Sequence, residues 1–120
     1  MPVRLAVNAL FGVQLAALGE LMGFIQQVGL DQSTAVQILT ATPVCSPAAK
    51  LAAESMQARK FSPLFPIELV EKDFAYILET ALTHGAKVPL AGAVQKVFNK
   101  AIEKGFGKDN ITGVAQLYLK

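Results

Sequence analysis

Arg4 and Asn8 stand four residues apart at the head of an almost uncharged stretch, in which Glu20 is the sole charge from Leu5 to Leu30. On a helix that spacing puts both on one face, one turn apart. A cation beside a carboxamide can hold a carboxylate or polarise a hydroxyl. A second segment adds to the pair: Phe61-Ser62-Pro63-Leu64-Phe65, followed by Glu71-Lys72-Asp73-Phe74. Each piece also has a plain description. Arg4 and Asn8 fit a solvated first helical turn, although an asparagine inside an apolar stripe needs a hydrogen-bond partner if it is buried. Lys72 among Glu68, Glu71 and Asp73 fits a solvated ion-pair face.

The remaining reactive residue types are isolated. His84 falls in a last helical turn, where a cation suits the helix dipole. Cys45 is the single cysteine, which excludes an internal disulfide and a cysteine-based zinc site. It has no adjacent basic residue to activate it and reads as structural. Lys96, Lys100 and Lys104 form an outer row on one helix face. Gly105-Phe106-Gly107 reads as a helix stop, not as a phosphate-binding turn after a strand. No Walker segment, nucleophile elbow or histidine-rich spacing is present, so no metal site and no self-contained catalytic centre are expected.

At 120 residues the chain makes one domain with a real core. Hydrophobic residues are 52% and charged residues 17%, against about a quarter charged in ordinary domains. That deficit points to buried apolar faces at a partner surface or in a membrane. The stretch from 5 to 30 is long enough to span a bilayer, and Gly12-x-x-x-Ala16 and Gly19-x-x-x-Gly23 are close-packing spacings. Asn8, Gln14, Glu20, Gln26 and Gln27 interrupt it throughout, and Glu20 near its middle is costly in lipid, so no membrane partner is expected. A net charge of +2 and the absence of Trp give no nucleic-acid signature. The single cysteine and the missing signal-peptide order fit a cytoplasmic location.

The periodicity is helical throughout, and the expected fold class is all-α with about six helices in one domain, 1–120. The first helix runs from Pro2 to about Val28, roughly 40 Å, before Gly29. It is apolar nearly all round and should be covered on most sides. Its glycines and alanines should let another backbone come close, which favours a homodimer. The second follows Asp31 as N-cap to about Thr42, with Val36, Leu39 and Ile38 inward. The third starts at Ser46-Pro47, carries Ala49, Leu51, Ala52 and Met56, and frays near Arg59-Lys60. Residues 61–66 form a loop stiffened by Pro63 and Pro66. The fourth runs from Pro66 or Ile67 to Gly85, with Ile67, Val70, Phe74, Ile77, Leu78, Ala81 and Leu82 as its apolar face. The fifth spans Pro89 to Lys104 and packs Val94, Val97, Phe98, Ala101 and Ile102. A last helix starts near Asp109 or Asn110 and carries Ile111, Val114, Leu117 and Tyr118.

In order, these segments resemble the C-terminal helical domain of the β-hydroxyacid dehydrogenases, the 3-hydroxyisobutyrate dehydrogenase and tartronate semialdehyde reductase group of the 6-phosphogluconate dehydrogenase-like superfamily. The resemblance covers residues 4–118. It is carried by Arg4 and Asn8 at the family's lysine and asparagine, by Leu18-Gly19-Glu20 and Gly29-Leu30-Asp31, and by the Phe61–Phe65 loop with Lys72-Asp73. The tail, Gly105-Phe106-Gly107 with Ile111-Thr112, completes it. The Phe loop with Lys-Asp is the most specific combination.

The resemblance implies roles. Arg4 stands at the catalytic lysine that polarises the substrate oxygen during hydride transfer, Asn8 at the substrate-holding asparagine, and Lys72 at a lysine that contacts the nicotinamide cofactor. NAD or NADP belongs to the complete enzyme, on an N-terminal Rossmann domain that this chain lacks. None is expected bound to the chain alone. Two departures stand out. Arg4 replaces lysine, and arginine stays charged, so it orients and polarises but is a poor proton donor. Asn110 stands where the family usually has aspartate. The implied function is a substrate-closing and dimerisation domain of an NAD(P)-dependent 3-hydroxyacid dehydrogenase, inactive without the Rossmann domain. The chain is then a fragment, or the product of a split or decayed gene. The alternative is a stand-alone helical interaction module without catalysis; a membrane-associated helical protein is a third reading.

Overall fold

In a computed structural model, which describes residues 2–120, the chain is all-helical, with no strand among the described residues. α1 (Pro2–Gln27) packs on every other element. At about 1.5 Å per residue it is roughly 39 Å long, close to the longest dimension of the molecule, 45 Å. Its inner face is Gly12, Leu15, Ala16, Leu18, Gly19, Met22 and Gly23. Contrary to the expectation of cover on most sides, the opposite face stays open, with Val7, Leu10 and Phe24 about 60% exposed.

The glycines of α1 do let another backbone come close, and that backbone belongs to the same chain. A Cβ on Gly19 would lie 3.2 Å from Ala115 Cα, and one on Gly23 would lie 2.5 Å from Tyr118 Cβ. The small-residue face therefore seats the chain's own C-terminal segment. It is not available to a second copy of the chain.

α2 (Gln32–Ala41) begins at Asp31, whose carboxylate accepts from Thr34 N at 2.9 Å and from Thr34 Oγ1 at 2.7 Å. α3 (Pro47–Gln57) is capped by Ser46, which accepts from Ala49 N at 3.1 Å and donates to Gln14 Oε1 at 2.6 Å, tying α3 to α1. α4 (Ile67–His84) ends at the left-handed Gly85, and α5 (Pro89–Glu103) is followed by the left-handed Gly105. Phe74 of α4 stacks on Phe98 of α5 with ring centroids 5.9 Å apart, and both rings are fully buried.

The last element, Ile111–Leu117, is a 3₁₀ segment and not an α-helix. Its first five residues are all buried. An α-helix turns successive side chains around its axis and presents one stripe to a core; this segment instead threads between α1, α3, α4 and α5. Some expected inward residues face out for the same reason that their neighbours face in. Ile38, Leu51 and Leu82 are 63%, 66% and 85% exposed, while Val36, Ala52 and Ala81 take the buried positions.

Candidate functional site

Asn8 finds its partner on α4. Its Nδ2 donates to Asp73 Oδ2 at 3.2 Å, with both residues half-buried. Only the amide nitrogen can donate to a carboxylate, so the bond sets which way the carboxamide points. Asn8 keeps its carbonyl oxygen and one N–H for other partners, which suits a hydroxyl that both donates and accepts. The approach of the two helices is set one turn further along α1. Gly12 has no side chain there, and a Cβ would fall 2.6 Å from the Phe74 ring. Phe74 follows Asp73 directly, so the Gly12–Phe74 contact brings the carboxylate to Asn8.

Arg4 lies one helical turn before Asn8 on the same face and is exposed, about 6 Å further along the axis. Lys72 is exposed on α4, next to Asp73 but about 100° around the helix from it. The fold thus joins the Arg4–Asn8 face to the Lys72-Asp73 pair through Asp73, while Lys72 itself points to a neighbouring sector of α4. The expectation that Asp73 belongs to the polar side of α4 is corrected: it lies on the edge facing α1, beside the stripe of Val70, Phe74 and Ile77. Its position three residues after Val70 and four before Ile77 was the available signal.

The Phe loop is held by Asn110, a residue to which sequence reasoning gave no positioning role. Its Oδ1 accepts from Leu64 N at 3.0 Å and from Phe65 N at 2.9 Å, and its Nδ2 donates to Thr112 Oγ1 at 3.0 Å. An aspartate could accept both backbone bonds but could not donate the third while ionised. The start of α4 is fixed by the same segment. Ile67 N donates to Asp109 O and Glu68 N to Gly107 O, each at 2.9 Å. These bonds satisfy helix-terminal donors that Pro66, as N-cap, has no side chain to reach. Gly105-Phe106-Gly107 is therefore both a helix stop and part of the frame that starts α4.

Beside the Asn8–Asp73 link runs an open apolar groove of about 720 Å³ between the N-terminal half of α1, the C-terminal half of α4 and the start of α5. Ala9 and Phe74, the sequence neighbours of the linked pair, line it. The other sequence-predicted features sit apart. His84 is exposed in the last turn of α4, Cys45 is half-buried before α3, and Lys96, Lys100 and Lys104 are exposed along α5.

The chemistry open to this arrangement is one-sided. Arg4 and Asn8 can hold and polarise an oxygen, and Lys72 can touch an anion. A dinucleotide pyrophosphate needs a converging set of backbone N–H groups at a strand-to-helix turn. An all-helical chain with no strand among its described residues has no such cradle, so its residues fit only an edge contact with NAD or NADP.

Comparison with known proteins places the chain. Residues 2–118 match the family described as "NAD-binding of NADP-dependent 3-hydroxyisobutyrate dehydrogenase". Glyoxylate/succinic semialdehyde reductase 1 of Arabidopsis thaliana is 26% identical over 95% of this chain and 39% of its own length. An uncharacterized oxidoreductase, YfjR, of Bacillus subtilis is 32% identical over 87% of this chain and 36% of its own. The crystal structure of 3-hydroxyisobutyrate dehydrogenase from Salmonella typhimurium has the same fold, with a TM-score of 0.91 at 21% identity, over 98% of this chain and 41% of that one. The chain thus spans about two fifths of the proteins that it matches. With nearly all of its residues inside the family match, the chain belongs to the 3-hydroxyisobutyrate dehydrogenase family.

Proposed function

We propose that the chain is the substrate-closing and dimerisation domain of a cytoplasmic, NAD(P)-dependent 3-hydroxyacid dehydrogenase, and that it is inactive without a dinucleotide-binding domain. The observation that carries this reading is the Asn8–Asp73 hydrogen bond. It ties two motifs 65 residues apart into one polar point near the N-terminal end of α1. The substrate is a small hydroxyacid or the matching semialdehyde. NAD or NADP, held mainly by the other domain, would supply the hydride chemistry. Arg4 orients the substrate and stabilises negative charge on its reacting oxygen. It stays charged throughout, so the hydroxyl proton released with the hydride passes to solvent and not to Arg4. Asn8, locked by Asp73, presents its free carbonyl and N–H to the substrate. Lys72 reaches an anionic part of the cofactor from the α4 side.

The test supplies the missing part. The chain is mixed with, or fused to, a dinucleotide-binding domain of the same family, and nicotinamide absorbance is followed with small hydroxyacids and semialdehydes. The expected result is turnover in the combined protein that falls on Arg4→Ala, with none from the chain alone. Arg4-dependent turnover by the isolated chain would refute the need for a second domain. The second reading, a helical interaction module without catalysis, is favoured by the Arg4 replacement and the open apolar face of α1. It predicts a folded combined protein that binds cofactor through the added domain but does not turn over.

A further inference from the structure

The lysine row of α5 has no part in the site described above, and the fold gives it a floor. Lys96, Lys100 and Lys104 are exposed at steps of four residues, about 12 Å from first to last along the axis. Val97, Leu117 and Tyr118 lie alongside and are half-buried. Together the six residues line one recess of about 320 Å³, a volume at which small-molecule sites begin. Tyr118 is seated against Gly23 of α1, so the floor is fixed to the core. A row of solvated lysines needs no floor of this kind.

Positive charge gathers at the same place. α5 with its C-cap carries these three lysines against one acid, Glu103. Residues 96–120 hold five lysines and two acids, a net +3, so the rest of the chain sums to −1. Like charges four residues apart on a helix repel, and the row contains two such pairs. An anion that spans the row relieves both. We propose that this recess binds a nucleoside triphosphate, with its phosphate chain along the three ammonium groups and its base on Val97, Leu117 and Tyr118. The proposal is independent of the hydride-transfer reading. Ammonium groups form charge-assisted hydrogen bonds to phosphate oxygens, and an aromatic ring suits the flat face of a base. Glu20 sets the orientation. Burial, and then its negative charge, hold the Tyr118 phenol above its usual value. The phenol is therefore neutral at ordinary pH, and Glu20 repels phosphate from that end of the recess and leaves it to the base.

Larger anions fit less well. A nucleic acid covers about 600 Å² or more of protein, which would carry its further phosphates onto the part of the chain with net negative charge. An acidic helix needs about 800 Å² for a stable interface, and the recess offers three half-buried apolar residues. An anionic membrane holds a basic helix when apolar side chains beside the cations insert into it, and Val97, Leu117 and Tyr118 do not stand clear of the surface.

The test titrates the full chain with ATP at low salt, by calorimetry and by amide NMR. One site is expected, with a Kd below about 1 mM that weakens as salt is added. The amides of Val97, Leu117 and Tyr118 should shift. Inorganic tripolyphosphate should bind more weakly than ATP and leave Leu117 and Tyr118 unmoved. Lys96→Gln with Lys100→Gln should weaken ATP about tenfold or more. Melting should hold or rise in that variant, because a repulsive pair is removed, so the loss is not one of folding. Lys50→Gln with Lys60→Gln removes the same charge from exposed positions elsewhere and should leave the Kd nearly unchanged. No binding of ATP, equal weakening by the two lysine pairs, or tripolyphosphate as tight as ATP would overturn the proposal. So would tighter binding of a single-stranded oligonucleotide than of ATP, or flotation with anionic vesicles that ATP does not compete. Each of these readings is made on the chain alone, so failure of hydride transfer in the reconstituted enzyme leaves them in place.

Discussion

Two alanine substitutions at helical glycines should move stability in opposite directions, and the pair tests whether Gly12 sets the α1–α4 approach. In a helix interior, Gly→Ala gains about 1 kcal/mol from backbone entropy alone. At Gly92 of α5 that gain should appear nearly whole. The new Cβ would meet nothing nearer than Leu78 Cδ2 at 3.8 Å, which is ordinary contact. At Gly12 the Cβ would fall 2.6 and 2.9 Å from two Phe74 ring carbons, about 1 Å inside the usual carbon–carbon separation. The ring cannot swing aside easily, since it is fully buried and stacked on Phe98. Overpacking of this kind costs about 1–3 kcal/mol. Moving α4 away also stretches the Asn8–Asp73 bond, which contributes roughly another 1 kcal/mol. Gly12→Ala should therefore lose about 1–3 kcal/mol net and Gly92→Ala should gain up to about 1. At about 4 °C per kcal/mol for a domain of this size, that is a fall of about 4–12 °C in Tm against a rise of up to about 4 °C. Thermal and urea unfolding followed by circular dichroism would measure both. Gly12→Ala melting at or above the parent, or both variants shifting the same way, would refute the argument.

Asn110→Ala should cost about 1–3 kcal/mol by orphaning the Leu64 and Phe65 amides, and hydrogen exchange should speed up at those two positions; Asn110→Asp, which keeps both acceptors, should show less of each. Lys72→Ala should leave the melting curve nearly unchanged, because the side chain is exposed and its removal opens no cavity. The same change should weaken cofactor binding in the reconstituted enzyme, read by titration of the holoenzyme. Burial, and then the negative charge of Glu20, hold the Tyr118 phenol above its usual value of 10.0. The folded chain thus keeps a proton that the unfolded chain releases, so this contribution is intact below pH 10 and lost as pH rises through the folded value. Melting temperature should fall on the alkaline side, and Tyr118→Phe should remove that part of the fall.

The helix borders were legible because their residues act locally. Asp31 and Ser46 accept from amides three residues on, Pro47 and Pro89 open helices, and Gly85 and Gly105 close them in the left-handed region. What could not be read locally is which neighbour a face meets. The glycine face of α1 was legible as a close-approach surface, but its partner proved to be a segment almost 100 residues away in the same chain. The last element carries helical spacing at Ile111, Val114 and Leu117, yet burial of five successive residues overrides the α pattern. At the site, Arg4 and Asn8 could be paired because one helix carries both. The Asn8–Asp73 link depends on how α1 and α4 cross, and that crossing depends on a glycine against a ring. Asn110 was noticed as a departure from aspartate, and its three bonds to two separate segments became apparent only in the folded chain.

The most direct test of the account is the rate of hydride transfer in the chain fused to a dinucleotide-binding domain, measured in a single turnover with saturating cofactor. Removing one preorganised donor from a developing oxyanion costs about 10²–10³ in rate. Arg4→Met and Asn8→Ala should each slow the step by that order, and Asp73→Ala should fall with Asn8→Ala without adding to it, because Asp73 acts through the carboxamide. Cofactor affinity should be unchanged in all three. Transfer at the parent rate in Arg4→Met and Asn8→Ala, in folded protein with cofactor bound, would contradict the account.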